Sequence, residues 1–303
     1  MQASNFIEIE NVTKDYGQGR GNFDINLSVK KGETLGIVGG NGAGKTTLMR
    51  QLMGFIRSDD GFITIANMDA YLDANKTKKL IGYIPGEINF PDVKTGTIFL
   101  HNYGDSLGAK SEDYDYANEL IKRMQLDIRA YPKRMSKGMK QKTSIVAAFM
   151  RRPEILFLDE PSIGLDPLMR EELLEIILEQ KANGSTIIMS SNSVEELERV
   201  SDKVALINKG KIVDVADMNE IKNRKFRDYK IDFVNHEDFL KFKELDFNII
   251  RVQEQFNQVT VRIDKKDINK LLKEVSKHKI KFISEVQYTL SSYFKERRSM
   301  RNE

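Results

Sequence analysis

The stretch TLGIVGGNGAGKT, residues 34 to 46, decides the fold. Its first part, TLGIV (34–38), is a short apolar run typical of a buried strand, and TTLMRQLMGF predicts a helix from Thr46 onward. Between them, GGNGAGKT (39–46) fits the pattern GxxxxGK[ST]. Glycines at these positions let successive backbone N–H groups surround phosphate oxygens, and the helix adds its positive N-terminal end. The stretch therefore predicts a phosphate-binding loop.

Three side chains extend this loop into a Mg-nucleotide site. We expect Lys45 to reach the β- and γ-phosphates and Thr46 to offer its hydroxyl to Mg²⁺. Asp159 ends the apolar strand ILFLD and would hold the same ion through water. A strand, a loop, a helix and a downstream strand-end aspartate make a chance glycine turn an unlikely source of this pattern.

Strands alternate with helices along the first two thirds of the chain. Apolar runs such as EILFLDE and STIIMS are followed by helical stretches such as LMREELLEIILEQKANG and SVEELERVSD. This alternation favours a parallel sheet with helices on both faces. From Thr95 to Arg152 the pattern is helical, which predicts a helical subdomain at about 87–152.

A second domain is predicted at 229–303, after a first domain at 1–222. The later stretch has its own strands and helices, including a hairpin that turns at residues 256–258. The charged segment NRKFRD, residues 223 to 228, is the expected hinge. Residues 1 to 221 carry 28 Lys and Arg against 32 Asp and Glu, whereas residues 222 to 303 carry 20 against 13. This basic surplus suits an anionic partner or an ordinary solvated surface, and both interpretations stay open.

Composition excludes several classes of protein. The 303 residues are 40% hydrophobic and 31% charged, which suits a globular protein of about two domains. The sequence has no cysteine, so disulfides, thiolate nucleophiles and Cys-ligated metals are excluded. No apolar run approaches the roughly 18 residues of a membrane span, and MQASNFIEIE lacks the features of a signal peptide. We expect a cytoplasmic protein.

Further motifs narrow the class of nucleotide-binding protein. MSKGM (135–139) precedes Asp159 by about two dozen residues, Glu160 follows that aspartate directly, and Gly164-Leu165-Asp166 comes soon after. With this ordered set, residues 6 to 215 resemble the ATP-binding subunit of an ABC transporter. The resemblance implies an α/β fold: a P-loop ABC-type ATPase domain, with a RecA-like core, an antiparallel β subdomain and a helical subdomain. A small α+β C-terminal domain follows it.

The resemblance also assigns residues to roles. Glu160 is the expected catalytic base, Asp159 the metal-holding aspartate, and MSKGM a variant of the LSGGQ signature. Tyr16 falls where the family places an aromatic ring against adenine, although an ordinary strand-end tyrosine explains it as well. The expected ATP-binding residues of the phosphate loop are Gly39, Gly40, Asn41, Gly42, Ala43, Gly44, Lys45, Thr46 and Thr47.

The signature implies a dimer. Ser136 and Gly138 survive in it, and a hydroxyl with a close backbone at a helix N-terminus can bind the γ-phosphate held by a second protomer. Asp166 would lie in the loop that crosses between the protomers. ATP would then join two copies, and hydrolysis would release them.

Two positions depart from the family pattern. The residue after STIIMSS, where the family has a histidine that touches the γ-phosphate, is Asn192. An asparagine can donate a hydrogen bond but carries no charge, so we expect ATP binding to persist and hydrolysis to be slower. After Pro85 the usual glutamine is replaced by Gly86, with Glu87 next to it. Glu87 is either a water-mediated Mg²⁺ contact or a surface charge.

These observations favour an ATPase that powers a bacterial ABC exporter of peptides, antibiotics or lipids. Its expected partners are ATP, a separate transmembrane permease subunit and a second ATPase protomer, at the inner face of the cell membrane. The alternative is a hydrolysis-weak nucleotide switch, or the degenerate half of a heterodimer. Nucleic acid is not an expected partner, because ABC proteins that act on it usually carry two cassettes and this sequence has one phosphate loop.

Overall fold

The computed structural model describes residues 5–301. The chain divides into two compact units, Met1–Asp217 and Met218–Glu303. Among the described residues, no helix combines the length and the apolar character that crossing a bilayer requires.

Within residues 5–217, the first unit has ten strands and seven α-helices. Its strands are β1 Asn5–Asp15, β2 Gly21–Lys30, β3 Thr34–Val38, β4 Asp60–Ile65, β5 Met68–Asp69, β6 Ile81–Ile84, β7 Ile155–Asp159, β8 Thr186–Ser191, β9 Lys203–Asn208 and β10 Lys211–Asp217. Its helices are α1 Lys45–Leu52, α2 Ala74–Thr77, α3 Gly96–Ser106, α4 Ser111–Arg123, α5 Lys137–Phe149, α6 Pro167–Ala182 and α7 Val194–Val200.

A six-stranded sheet, in the order β10-β9-β3-β8-β7-β6, forms the centre of this unit. All neighbours pair in parallel except β10, which is antiparallel to β9. Every residue of β3, β7 and β8 is buried, as expected for central strands covered on both faces. The carboxyl ends of these three parallel strands therefore meet at one edge of the sheet.

A second sheet, in the order β2-β1-β4-β5, is antiparallel. Its buried side chains, such as Ile7 and Ile63, share a core with Leu48 and Met49 of α1 and with Phe157 of β7. Helix α1 is thus fixed by apolar packing, and with it the loop that precedes it. The predicted α/β fold with an antiparallel β subdomain is confirmed by this arrangement.

Helices α3, α4 and α5 lie in the segment predicted to be helical. Helices α3 and α5 begin after residues that cap them: the Thr95 hydroxyl accepts a hydrogen bond from the Ile98 N–H, and the Ser136 hydroxyl accepts one from the Met139 N–H. Helix α4 has Glu112 and Asp113 in its first turn, where carboxylates complement the helix dipole. The segment that these helices form lies between β6 and β7 in the sequence, and the two strands pair with each other in the sheet.

The second unit is a small α+β structure. Its elements are α8 Met218–Lys222, β11 Phe226–Phe233, α9 His236–Lys243, β12 Ile249–Gln253, β13 Gln258–Asp264, α10 Ile268–Val275, β14 Ile280–Val286 and α11 Leu290–Arg301. The strands form an antiparallel sheet in the order β12-β13-β11-β14. The predicted hairpin turns at Asn257, which has φ of 48° and a residue type that tolerates this conformation.

The boundary between the units lies five residues before the predicted domain end at 222. Met218 and Ile221 of α8 are buried, and this helix packs against α11 of the second unit. Strand β11 already begins at Phe226, which pairs with Asp264, so part of the segment predicted as a hinge is ordered sheet. The division into independently folding domains remains a prediction.

Candidate functional site

The phosphate-binding loop runs from the end of β3 to the start of α1. Gly42 and Gly44 have φ of 75° and 110°, values that favour glycine because it lacks a β-carbon. A β-carbon on Gly39 would collide with the Ile207 carbonyl, so this residue needs to be glycine for a different reason, close packing. At Gly39, Gly42 and Gly44, a larger residue would therefore collide with its neighbours or strain the backbone.

The Lys45 ammonium lies at the centre of a polar network. It donates to the carbonyl oxygens of Gly39 and Gly40, at 2.7 and 3.3 Å, and to Oδ1 of Asn192 at 2.9 Å. Oε1 of Glu160 lies 3.1 Å from the same Nζ. Lys45 is only 6% exposed, so its charge depends on these partners rather than on water.

Glu160 and Asn192 come from the ends of neighbouring strands, β7 and β8. The Asn192 N–H donates to Oε2 of Glu160 at 3.2 Å, and the Asn192 amide donates to Oδ1 of Asn41 at 3.3 Å. Glu160 has φ of 51°, a left-handed conformation that glutamate seldom adopts. The Ser190 carbonyl and hydroxyl hold its N–H at 3.1 and 3.0 Å. The backbone at the carboxyl ends of β7 and β8 thus fixes the expected catalytic base.

Asp159 carries the feature that bears on a metal ion. Its Oδ1 accepts from the Ser190 hydroxyl at 2.6 Å, whereas its buried Oδ2 has no hydrogen-bond partner. A β-carbon on Gly86 would lie 2.9 Å from this Oδ2 and 3.7 Å from the Thr46 hydroxyl. An unpartnered carboxylate oxygen near a hydroxyl fits Mg²⁺, because this ion prefers oxygen ligands. A cation would also compensate the buried charge of the carboxylate.

One cleft of about 450 Å³ joins these residues. Of the expected ATP-binding residues, those that line it are Tyr16, Asn41, Gly42, Ala43, Gly44, Lys45, Thr46 and Thr47. Glu160 and Asn192 also line it, as does Glu87, whose role stays a prediction. Tyr16 is 47% exposed at the cleft, so its ring is accessible to a ligand.

The sequence reasoning missed four lining residues, which are Arg20, Gly21, Arg50 and Ile163. Arg20 reaches the cleft because the loop after Tyr16 turns back, with the Tyr16 N–H donating to the Arg20 carbonyl at 2.8 Å. A pattern of apolar residues does not show such a turn. The two glycines in Gly17-Gln18-Gly19 are the sequence feature that could have indicated this turn.

Ser136, Gly138 and Asp166 do not line the cleft. The Ser136 and Asp166 side chains accept hydrogen bonds at the starts of α5 and α6. A β-carbon on Gly138 would lie 2.8 Å from the Gly164 carbonyl, so the signature helix packs closely on the loop before Asp166. These three residues are on one surface region of the first unit, separate from the cleft of the same chain.

Comparisons with known proteins identify the family of this chain. The family described as ABC transporter matches residues 23–163. The linearmycin resistance ATP-binding protein LnrL of Bacillus subtilis (strain 168) is 33% identical over 221 residues, which cover 72% of this chain and 71% of LnrL. The bacitracin transport ATP-binding protein BcrA of Enterococcus faecalis is 32% identical over 229 residues, 74% of each chain.

A solved structure of the ATP binding subunit of an ABC transporter superposes with a TM-score of 0.66 at 29% identity. It covers 72% of this chain and 92% of that subunit. The matched share of this chain is about the size of the first unit, which contains the phosphate-binding loop, Asp159 and Glu160. With that site and these matches, the chain belongs to the ABC transporter family, as an ATP-binding subunit with ATPase activity.

Proposed function

We propose that this chain binds Mg-ATP in the cleft around Lys45 and hydrolyses it to drive a bacterial exporter of antibiotics, peptides or lipids. The phosphate-binding loop and Glu160 line one cleft, and Asp159 lies directly behind Gly86, which lines the same cleft; this arrangement carries the proposal. The related proteins named for linearmycin resistance and bacitracin transport support this class of cargo. They also make a hydrolysis-weak switch the less favoured alternative.

ATP would replace part of the network around Lys45. An ammonium has three donors, and four protein oxygens now surround this one. When β- and γ-phosphate oxygens take their place, Glu160 loses its ion pair with Lys45. The freed carboxylate can then orient a water molecule and accept its proton during attack on the γ-phosphorus.

Thr46 and Asp159 are the residues that would hold Mg²⁺. When bound, this ion offsets the negative charge of the phosphates. The protein supplies the rest of the charge stabilisation through Lys45 and the loop N–H groups, which are already in place before ATP arrives.

A second copy would complete the site. Ser136, Gly138 and Asp166 lie away from the cleft of their own chain, so they can reach a γ-phosphate only in another protomer. Ser136 begins α5, a 13-residue helix whose N-terminal end favours an anion. The functional pair is either two identical copies or this chain with a related ATPase.

An apolar groove in the first unit would receive the membrane subunit. It has a volume of about 310 Å³. Phe55 and Tyr83 line it from outside the helical segment, and Phe90, Phe99 and Tyr103 line it from within that segment. Phe55 and Tyr83 pack edge to face at 5.6 Å, and burial raises the pKa of Tyr83 to about 12, helped by the charge of Asp159. A short amphipathic helix of a permease is the kind of segment that such a groove binds. This would place the chain at the cytoplasmic face of the membrane.

The test is steady-state ATPase activity of the purified chain, alone and with a candidate multi-span membrane partner, in proteoliposomes. We expect the membrane protein to raise the rate. Phe55→Ala should remove this stimulation and keep the basal rate. Phe62→Ala is a matched control, because Phe62 is 48% exposed against 50% for Phe55 and lies outside the groove. Equal stimulation of both variants would contradict docking in the groove.

A further inference from the structure

A buried carboxylate behind the cleft takes no part in the mechanism above. Glu196 lies in α7, is 5% exposed and does not line the cleft. Its Oε2 accepts hydrogen bonds from the hydroxyls of Ser162 and Ser191, both at 2.9 Å. Its Oε1 lies 3.4 Å from Nε of Arg170 in α6. A buried carboxylate is costly unless its partners compensate it, and here hydroxyls and a guanidinium do so.

The two serines belong to the segments that present the reacting groups. Ser162 follows Glu160 by two residues, and Ser191 directly precedes Asn192. One oxygen of Glu196 therefore joins the segment after β7 to the end of β8. Since Asn192 N–H donates to Glu160, the two segments are linked twice, once in the cleft and once behind it.

Arg170 connects Glu196 to the loop that contains Asp166, which is proposed to face the second protomer. Arg170 lies one turn into α6, which begins after Asp166. The backbone N–H of Arg170 donates to the Asp166 carbonyl at 3.0 Å. A shift of the loop before α6 would thus reach Asn192 through Arg170, Glu196 and Ser191.

We propose that Glu196 is a positioning residue that holds Glu160 and Asn192 in line with the γ-phosphate through Ser162 and Ser191. This rests on the proposed function of the cleft. A carboxylate that acts only on the placement of these groups affects the transition state more than the binding of ATP.

The experiment is the steady-state kinetics of Glu196→Leu and Glu196→Gln in the full chain. The leucine variant loses both hydroxyl bonds, and we expect kcat to fall at least tenfold while KM for ATP changes less than about threefold. A glutamine can turn its amide oxygen toward the serines and accept from them. We therefore expect Glu196→Gln to recover most of the rate.

A matched control separates placement from stability. Gln180 in α6 is as buried as Glu196, and its amide donates to the Tyr116 hydroxyl at 3.0 Å, away from the cleft. Gln180→Met should lower the melting temperature and leave kcat per folded molecule unchanged. A fall in kcat for Glu196→Leu no larger than that of Gln180→Met would overturn the proposal.

Two further variants keep the test valid if Glu196→Leu does not fold. Ser162→Ala and Ser191→Ala each remove one bond to Oε2, and each should lower kcat about threefold without a comparable change in KM. The double variant Ser162→Ala/Ser191→Ala should lower the rate less than the product of the two single effects, because both serines act through the same carboxylate. Unchanged kcat in both serine variants, or fully multiplicative effects, would overturn the proposal. A wild-type chain without ATPase activity would instead contradict the proposed function itself.

Discussion

Nζ of Lys45 lies 2.9 Å from Oδ1 of Asn192, so the asparagine accepts a hydrogen bond from the same ammonium that is expected to bind phosphate. Because an ammonium can only donate, this contact fixes which amide atom of Asn192 faces Lys45. The Asn192 NH₂ group then donates a hydrogen bond to Asn41. Unlike a protonated histidine, it carries no positive charge.

Asn192→His should therefore raise kcat. A histidine at this position can add positive charge as charge shifts to the γ-phosphate oxygens, and the expected gain is about tenfold, or about 1.4 kcal/mol of barrier. The affinity for ATP should change little, since the contact matters more in the transition state. Parallel measurement of kcat and KM for wild type and variant checks this. An equal or lower kcat would indicate a site adapted to asparagine.

Glu160→Gln should trap ATP between two copies. The variant keeps the groups that bind nucleotide and removes the base, which lowers the rate by a factor on the order of 10² to 10⁴. Size-exclusion chromatography in Mg-ATP should show a dimer that is absent with Mg-ADP. A monomer under both conditions would contradict a homodimer, and repeating the run with a candidate second ATPase of the same family would then test a heterodimer.

Lys45→Ala should weaken ATP binding at least about tenfold, because one charge-assisted hydrogen bond contributes about 1.5–3 kcal/mol. Removal of the ammonium also leaves the Glu160 carboxylate without its cation. Isothermal titration with a slowly hydrolysed ATP analogue measures the affinity, and circular dichroism checks the fold. Unchanged affinity in a folded variant would be incompatible with the assignment of the loop.

Gly86→Ala should weaken the binding of Mg²⁺ and so raise the Mg²⁺ concentration that ATP hydrolysis requires. Its β-carbon would lie 2.9 Å from Oδ2 of Asp159, so the carboxylate has to move or lose access to the cleft. A Mg²⁺ titration at saturating ATP should require about tenfold more metal, whereas nucleotide binding in EDTA should stay the same. A normal Mg²⁺ titration would mean that Asp159 does not face the ion.

A chain that ends at Asp217 should fold and bind ATP. The second unit has its own core, built around Ile231, Phe239 and Val259, and none of its described residues lines the cleft. Soluble expression, a cooperative melt and normal ATP affinity are the expected results. Insoluble protein would indicate that the first unit needs residues beyond 217.

The sequence predicts the centre of the site better than its surroundings. Lys45, Thr46 and Asp159 follow from local patterns, because a glycine-rich turn and the end of an apolar strand are visible in a few consecutive residues. The role of Glu160 follows only from the resemblance to the ABC family. The convergence of these residues also follows, since parallel strands end at one edge of a sheet.

The surrounding residues could not be predicted in the same way. Arg20 enters the cleft through a loop turn, and Glu196 lies in VEELERV, whose acidic residues look like an exposed helix face until Ser162 and Ser191 are placed beside one of them. The boundary at Asp217 likewise depends on the packing of α8 against α11, two elements that lie far apart in the sequence. Such features depend on tertiary neighbours rather than on local propensity.

The left-handed backbone of Glu160 makes the expected base a cost to the stability of the fold. A glutamate at φ of 51° destabilises the fold by about 1 kcal/mol relative to glycine. Glycine or asparagine adopts this conformation at a lower cost, but neither has a carboxylate that can accept a proton from water. The fold is therefore less stable at this position than it would be with a residue that cannot serve as the base.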